Sequence, residues 1–372
     1  MDPAILTASI EQRKEYFNNY ITAHPLLNEA TEGLFDALVN AKPKSLILVC
    51  GPSKVGLTVL VDKVIKKYYD HPQRKMEDDV IPIISIEADA PDHGDFDWTA
   101  FYKQALQELK EPQIECKIDY QSLLLKETRD GILRLQTKKP DLRKELINSL
   151  KRWQVRACII DKAQHLGIIT GNRKVNNQLD TIKSLASKSS TVHVLVGTYD
   201  VLDLLGKSAE LYATSEPISF PCYTLSTNEG KIGFLGALKG LQMHLPIKNQ
   251  PDLISQWKFF YEQSIGCIGI LKDILYRALS YALDHNQSTI EMKVFERYAK
   301  PIEHLIRMKE EADLGEKRLQ KISSESKRFK QDLGISEKPK SEPKSKNKSV
   351  GQRNPSRDPI GCWSQEEGVE AN

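Results

Sequence analysis

Short apolar runs rich in β-branched residues alternate with longer stretches of helical spacing up to residue 220, and then the strand signal stops. The runs are residues 45–50 (SLILVC), 80–86 (VIPIISI), 156–161 (RACIID), 191–197 (TVHVLVG) and, more weakly, 217–220. Between them, residues 59–69, 98–109, 143–153, 176–186 and 201–205 carry apolar side chains at helical intervals. Alternation of this kind predicts an α/β fold, a central parallel sheet covered by helices on both faces. Past residue 225 only helical patterns remain, at 228–244, 252–263, 268–284 and 292–309, so a small all-helical domain follows the sheet. Residues 9–41 are helical in pattern as well (YFNNYI, LFDALV). From about residue 325 the chain turns to Lys, Ser, Pro and Glu (SEKPKSEPKSKNKS), which cannot bury enough apolar surface to offset its ordering entropy. The expected divisions are an N-terminal helical segment (1–41), the α/β domain (42–224), the helical domain (225–320) and a flexible basic tail (321–372). Trp363 is the one aromatic residue near the end, an incidental side chain or an anchor for a partner.

Composition narrows the class without naming it. Hydrophobic residues make up 40% and charged ones 28%, the balance of a water-soluble globular protein. A net charge of +3 is too small to identify a nucleic-acid binder. No apolar run is long enough to span a membrane, and the start (MDPAILTASIEQRKEYF) lacks the basic-then-apolar pattern of a signal peptide. Cys50, Cys116, Cys158, Cys222, Cys267 and Cys362 form no CxxC pair, so free thiols in a reducing cytoplasm and no structural metal are expected.

The chemistry-bearing segment follows the first strand. Gly51, Pro52, Ser53, Lys54, Val55, Gly56, Leu57 and Thr58 lead straight into a helix. A glycine-rich turn between strand and helix aims backbone N–H groups and a helix N-terminus at an anion, which suits a phosphate cradle. The phosphate-loop pattern GxxxxGK[ST] needs Lys at its seventh place, and Leu57 stands there; Thr58, the expected Mg²⁺ ligand, is kept. The third strand ends in Asp161, the place for a carboxylate that holds Mg²⁺ through water. The next residue should be Glu to orient attacking water, and it is Lys162. Thr198, at the end of the fourth strand, is placed to sense a γ-phosphate or to cap the helix that follows.

Several stretches occur together in order: GPSxVGxT, FDWTAFYKQAL (96–106), DxAQHL, LVGTYD and SIGCIGILKDIL (264–275). Together they resemble the TnsC/TniB family of AAA+ transposition regulators. These are relatives of the phage MuB protein, found in Tn-seven-like and CRISPR-associated transposons. The likeness spans about residues 30–310, with more at 351–360 (GQRNPSRDPI). It implies an AAA+ P-loop NTPase whose helical part is a lid. It also implies ATP and Mg²⁺ as ligands, assembly into homo- or hetero-oligomers on double-stranded DNA, and a link between a TniQ-like target selector and the transposase. Carried over, Gly51, Gly56 and Thr58 belong to the phosphate loop, Asp161 to the metal-holding strand end, Thr198 to the sensor and Lys272 to a second sensor from the lid.

The departures from the family are all losses of charge that would act in hydrolysis: Leu57 for Lys, Lys162 for Glu, and no Arg in residues 201–220, where the family places its arginine finger. Lys207 is the only cation there. Lys54 or Lys162 reaching the phosphates would restore binding more readily than turnover. The expectation is a pseudo-ATPase, with ATP and Mg²⁺ bound weakly or not at all, acting as an adaptor that links selector and transposase or joins an active TnsC paralogue. An active ATPase with displaced catalytic groups and a domesticated AAA+ scaffold outside transposition are the alternatives. For DNA, the basic stretch 126–156 has interleaved acids, and the loop 90–97, where the family contacts DNA, is acidic. That leaves the tail lysines and arginines as the better candidates for phosphate contact or partner docking.

Overall fold

The computed structural model describes residues 3–71, 80–92, 94–112, 114, 124–127, 133–136, 141–168, 176–205 and 217–332. The chain divides into two units, Met1–Ser323 and Ser324–Asn372; of the second, only the end of the last helix lies among the described residues.

The first unit is built on a parallel sheet of β1 (Leu46–Cys50), β2 (Ile83–Glu87), β5 (Ala157–Asp161), β6 (Val192–Gly197) and β7 (Ile218–Ser219), in the order β2-β5-β6-β1-β7. Every pairing in it is parallel. Because side chains alternate along a strand, β1 sends Ile47 and Val49 to one face and Leu46, Leu48 and Cys50 to the other. The second face packs against α4 (Trp98–Glu108), α5 (Leu142–Arg152) and α6 (Asn176–Ser189), through residues such as Leu106, Leu146 and Ile182. On the first face lie α2 (Pro25–Asn40) and α3 (Leu57–Tyr69), with Leu34, Leu38, Leu60 and Val64. Both faces of β1, β5 and β6 are therefore dry, which is why these strands read as continuous apolar runs rather than alternating ones.

The helical part consists of α8 (Asn228–Met243), α9 (Trp257–Ser264), α10 (Ile268–Asp284), α11 (Met292–Arg297) and α12 (Ile302–Asp332). Its apolar residues, among them Leu238, Phe260, Ile274 and Phe295, belong to the same cluster as Val49 and Val64 of the sheet layer. Helix α1 (Ile10–Asn19) lies on this part: Lys14 pairs with Asp284 at 2.6 Å, and Arg13 Nε donates to the Pro246 carbonyl at 2.8 Å. Tyr20 stacks on His244 at 3.8 Å between ring centroids.

Several sequence expectations change here. Within the basic stretch 126–156, where the sequence predicts no strands, β3 (Leu124–Glu127) and β4 (Leu133–Gln136) pair antiparallel, and among its described residues only α5 is helical. The pattern at 292–309 splits into α11 and α12, because Pro301 lacks the N–H a continuing helix needs. At 252–263 the helix starts only at Trp257. Residues 201–205 divide between a 3-10 turn, Tyr199–Val201, and the single-turn α7 (Leu202–Leu205). Helix α12 runs through the boundary expected at 320 and reaches Asp332, so the described part of the expected tail is helical. Trp363, the motif at 351–360 and Lys207 lie outside the described residues.

Candidate nucleotide-binding site

The site forms where the C-terminal ends of β1, β5 and β6 meet. Cys50 of β1 is in register with Gly197 of β6, so the glycine-rich loop and Thr198 leave the sheet side by side. The loop 51–56 turns back into α3 through Gly56, whose φ of +114° lies in a region that residues with a Cβ rarely adopt. Leu57 then opens the helix half-buried, and Thr58 follows it. No cation projects from the first turn of α3, since Leu57 stands where the phosphate-loop lysine would.

Thr58 and Asp161 do come together. Thr58 Oγ1 donates to Asp161 Oδ2 at 2.7 Å, and Asp161 Oδ1 accepts from the Lys162 backbone N–H at 2.8 Å. Asp161 is 6% exposed. Its charge also acts on Asp62 of α3, whose carboxyl is raised above its ordinary value first by burial and then by Asp161. A hydroxyl, a buried carboxylate and crowded negative charge make a donor set of the kind Mg²⁺ takes. Thr58 and Asp161 are the residues that would hold such an ion. Among the described residues no group of three or more His, Cys, Asp or Glu forms a separate metal site.

Lys162 adopts a left-handed turn conformation (φ 52°) directly after β5, and its ammonium pairs with Glu87 Oε1 at the end of β2. The Glu87 hydrogen bond is the main cause that holds the ammonium above its ordinary pKa, with charge from Glu87, Asp161 and Asp89 adding to it. Glu87 is the residue that motif reading missed. A signal existed in sequence, a carboxylate at the end of an apolar run, but nothing in one dimension places that run beside the Asp161 strand.

Thr198 donates its backbone N–H to Gln164 Oε1 at 3.2 Å, and its hydroxyl contacts Asp200 Oδ2 at 3.3 Å. It is the N-cap residue of the 3-10 turn by position but makes no side-chain cap bond. Lys272, on α10, reaches the site from the helical side. Its ammonium donates to the Asn18 carbonyl at 2.6 Å, and burial lowers its pKa. It lines a cavity of about 70 Å³ together with Tyr20, His24, Val55, Gly56 and Gly269.

Helix α10 approaches the loop closely at its start. A Cβ on Gly269 would lie 2.0 Å from the Lys54 carbonyl oxygen, and Cys267 Sγ lies 3.7 Å from the Ser53 oxygen. Lys54 itself is exposed, in a left-handed turn conformation at φ 67°.

Residues 40–205 match the family model for the AAA domain. The order of the parallel strands, with β1 inside the sheet and the glycine-rich loop at its C-terminal end, agrees with it. The fold is that of an AAA+ P-loop NTPase. The chain also aligns with solved structures. One is Drosophila ORC bound to DNA (11% identity, TM-score 0.46, covering 78% of this chain and 65% of that one). Another is the Aeropyrum pernix ORC2 protein in ADPNP-ADP complexes (12%, 0.48, 77% and 71%). A third is CDC6P from Pyrobaculum aerophilum (14%, 0.44, 80% and 71%). The chain thus spans less than two thirds of the Drosophila protein it aligns with. No curated protein sequence matches it. Among the described residues no helix is long and apolar enough to cross a membrane.

Proposed function

We propose that this protein is a TnsC-like AAA+ adaptor of DNA transposition that holds a nucleotide and turns it over slowly or not at all. The observation that carries the nucleotide half is the contrast within one site. Thr58 and Asp161 stand together as a metal-holding pair, while Leu57 and Lys162 replace the phosphate cation and the water-directing carboxylate. A site of this kind binds weakly, because the lysine absent at Leu57 would hold the bound phosphates, and turns over slowly, because position 162 has no carboxylate to direct water. The tie between Lys272 and Asn18, which keeps that ammonium off the loop, agrees with weak binding.

The transposition half rests on the motif resemblance to TnsC/TniB. Its partners on this reading are a transposase, a TniQ-like selector and an active TnsC paralogue, with double-stranded DNA as a weaker partner given the acidic 90–97 loop. The test uses the full chain. Binding of a fluorescent ATP analogue and phosphate release are measured with and without duplex DNA, alongside electron microscopy of DNA mixtures. Nucleotide binding with negligible release is the expected result. Brisk turnover abolished by Asp161→Ala sinks the adaptor reading in favour of an active ATPase. A transposase and a TniQ-like gene beside this one support transposition, and their absence favours a scaffold outside it.

A further inference from the structure

The carboxylate missing from position 162 has a counterpart in space. Strands β2 and β5 are parallel neighbours, and Glu87 is the register partner of Asp161. Residues in register on adjacent parallel strands send their side chains to the same face, so both carboxylates emerge at the sheet end that also carries Thr58. The backbone around Glu87 is fixed: Ala88 N–H donates to the Asp161 carbonyl at 2.9 Å, and His165 Nδ1 lies 2.7 Å from the Ala88 carbonyl. The side chain is not fixed in the same way. Glu87 and Lys162 are each 46% exposed, so their ion pair sits in the mouth of the site and not in the core. Exposed pairs of this kind contribute little to folding and open readily.

We propose that Glu87 is the water-directing carboxylate of this nucleotide site and that Lys162 is a latch holding it idle. The inference rests on the reading of the loop as a nucleotide site. With the latch open, water attacks the γ-phosphorus: a new oxygen–phosphorus bond forms while the bond to the β–γ bridging oxygen breaks. The leaving ADP keeps that electron pair. Glu87 accepts the proton of the attacking water and passes it on to the released phosphate. Lys162 is a positioning residue on this account; its ammonium removes Glu87 from service while the pair is closed. Low turnover then reflects a held carboxylate rather than an absent one.

The test compares wild type, Lys162→Ala, Lys162→Arg, Glu87→Gln and the Lys162→Ala/Glu87→Gln double variant. Phosphate release, binding of a fluorescent ATP analogue and thermal melting are read for each. Lys162→Ala is expected to raise turnover about a hundredfold or more, within the range general-base catalysis supplies. Lys162→Arg, which keeps a cation against Glu87, raises it less, and the double variant loses the gain. Equal turnover in Lys162→Ala and the double variant, with nucleotide still bound, overturns the role of Glu87 and leaves the binding site standing. Folded variants and wild type that all fail to bind nucleotide overturn the site itself, and this inference with it.

Discussion

The hydroxyl of Thr58 donates to the carboxylate of Asp161 at 2.7 Å, joining the first turn after the glycine-rich loop to the end of a strand 103 residues later. Asp161 is buried while Thr58 is exposed, so the two partners respond differently to removal. Asp161→Ala strips the Lys162 backbone N–H of its acceptor as well and is expected to cost about 1–3 kcal/mol. Thr58→Val leaves a carboxylate that still accepts from Lys162, and its cost should be smaller. Urea unfolding of both variants checks the order, and a larger loss for Thr58→Val contradicts it.

Helix α12 is docked on the sheet end by a glycine. A Cβ on Gly315 would sit 2.0 Å from Tyr199 Cδ2, while Tyr199 Oη donates to Glu316 Oε1 at 2.8 Å. In an exposed helix Gly→Ala gains about 1 kcal/mol, but forcing a methyl into packed atoms costs about 1–3 kcal/mol. The clash is with a ring that is 4% exposed and has little room to move, so Gly315→Ala should destabilise. Thermal melting of Gly315→Ala and of Tyr199→Phe, alone and combined, separates the steric part from the hydrogen bond.

Gly269→Ala tests the contact between α10 and the loop. The added methyl meets the Lys54 carbonyl at 2.0 Å, and that is backbone, which cannot turn away as a side chain would. The helix start and the loop must separate. Binding of a fluorescent ATP analogue should weaken more in Gly269→Ala than in Gly236→Ala, where a methyl meets nothing within 4 Å. Equal affinities would show that this contact does not shape the site.

Stability should fall with acid through His193. Burial lowers its pKa from 6.5 to about 4, partly countered by its bond to the Thr191 carbonyl. The ring is thus neutral in the folded chain at pH values where the unfolded chain already takes up a proton. Its contribution is fully present above the unfolded value near 6.5 and is lost progressively as the pH falls toward 4. The loss is on the order of 3 kcal/mol for a group this buried. Denaturation midpoints of wild type and His193→Gln between neutral pH and pH 4 should show a shallower slope for the variant.

Burial pushes the Cys50 and Cys158 thiols up to about 12, leaving almost no thiolate at neutral pH. Iodoacetamide at mildly alkaline pH should leave both unmodified in the native protein and label both after unfolding, as read by peptide mass spectrometry. Native labelling of either at the rate of a free thiol contradicts the burial.

Much of the fold was legible because it is written locally. The runs at 45–50, 156–161 and 191–197 became β1, β5 and β6, and the breaker at Pro301 was visible, although the helical spacing around it hid its effect. Thr58 and Asp161 were legible as a pair because a motif links loop and strand end. Glu87 was not, because the choice of β2 as the neighbour of β5 is made by packing across the sheet. The lining of the small cavity by Tyr20 and His24 was equally invisible, since it depends on α1 lying over α10.

The sequence by itself determined a phosphate-loop fold and the positions, Leu57 and Lys162, that depart from the loop pattern, because strand, loop and helix signals are set by residues within a few positions of one another. Only the tertiary structure decided what surrounds Lys162. Parallel pairing of β2 with β5 brings a carboxylate from 75 residues away to within hydrogen-bonding reach of its ammonium. No local pattern encodes that contact: it exists only because burying both faces of the sheet fixes which strands lie side by side.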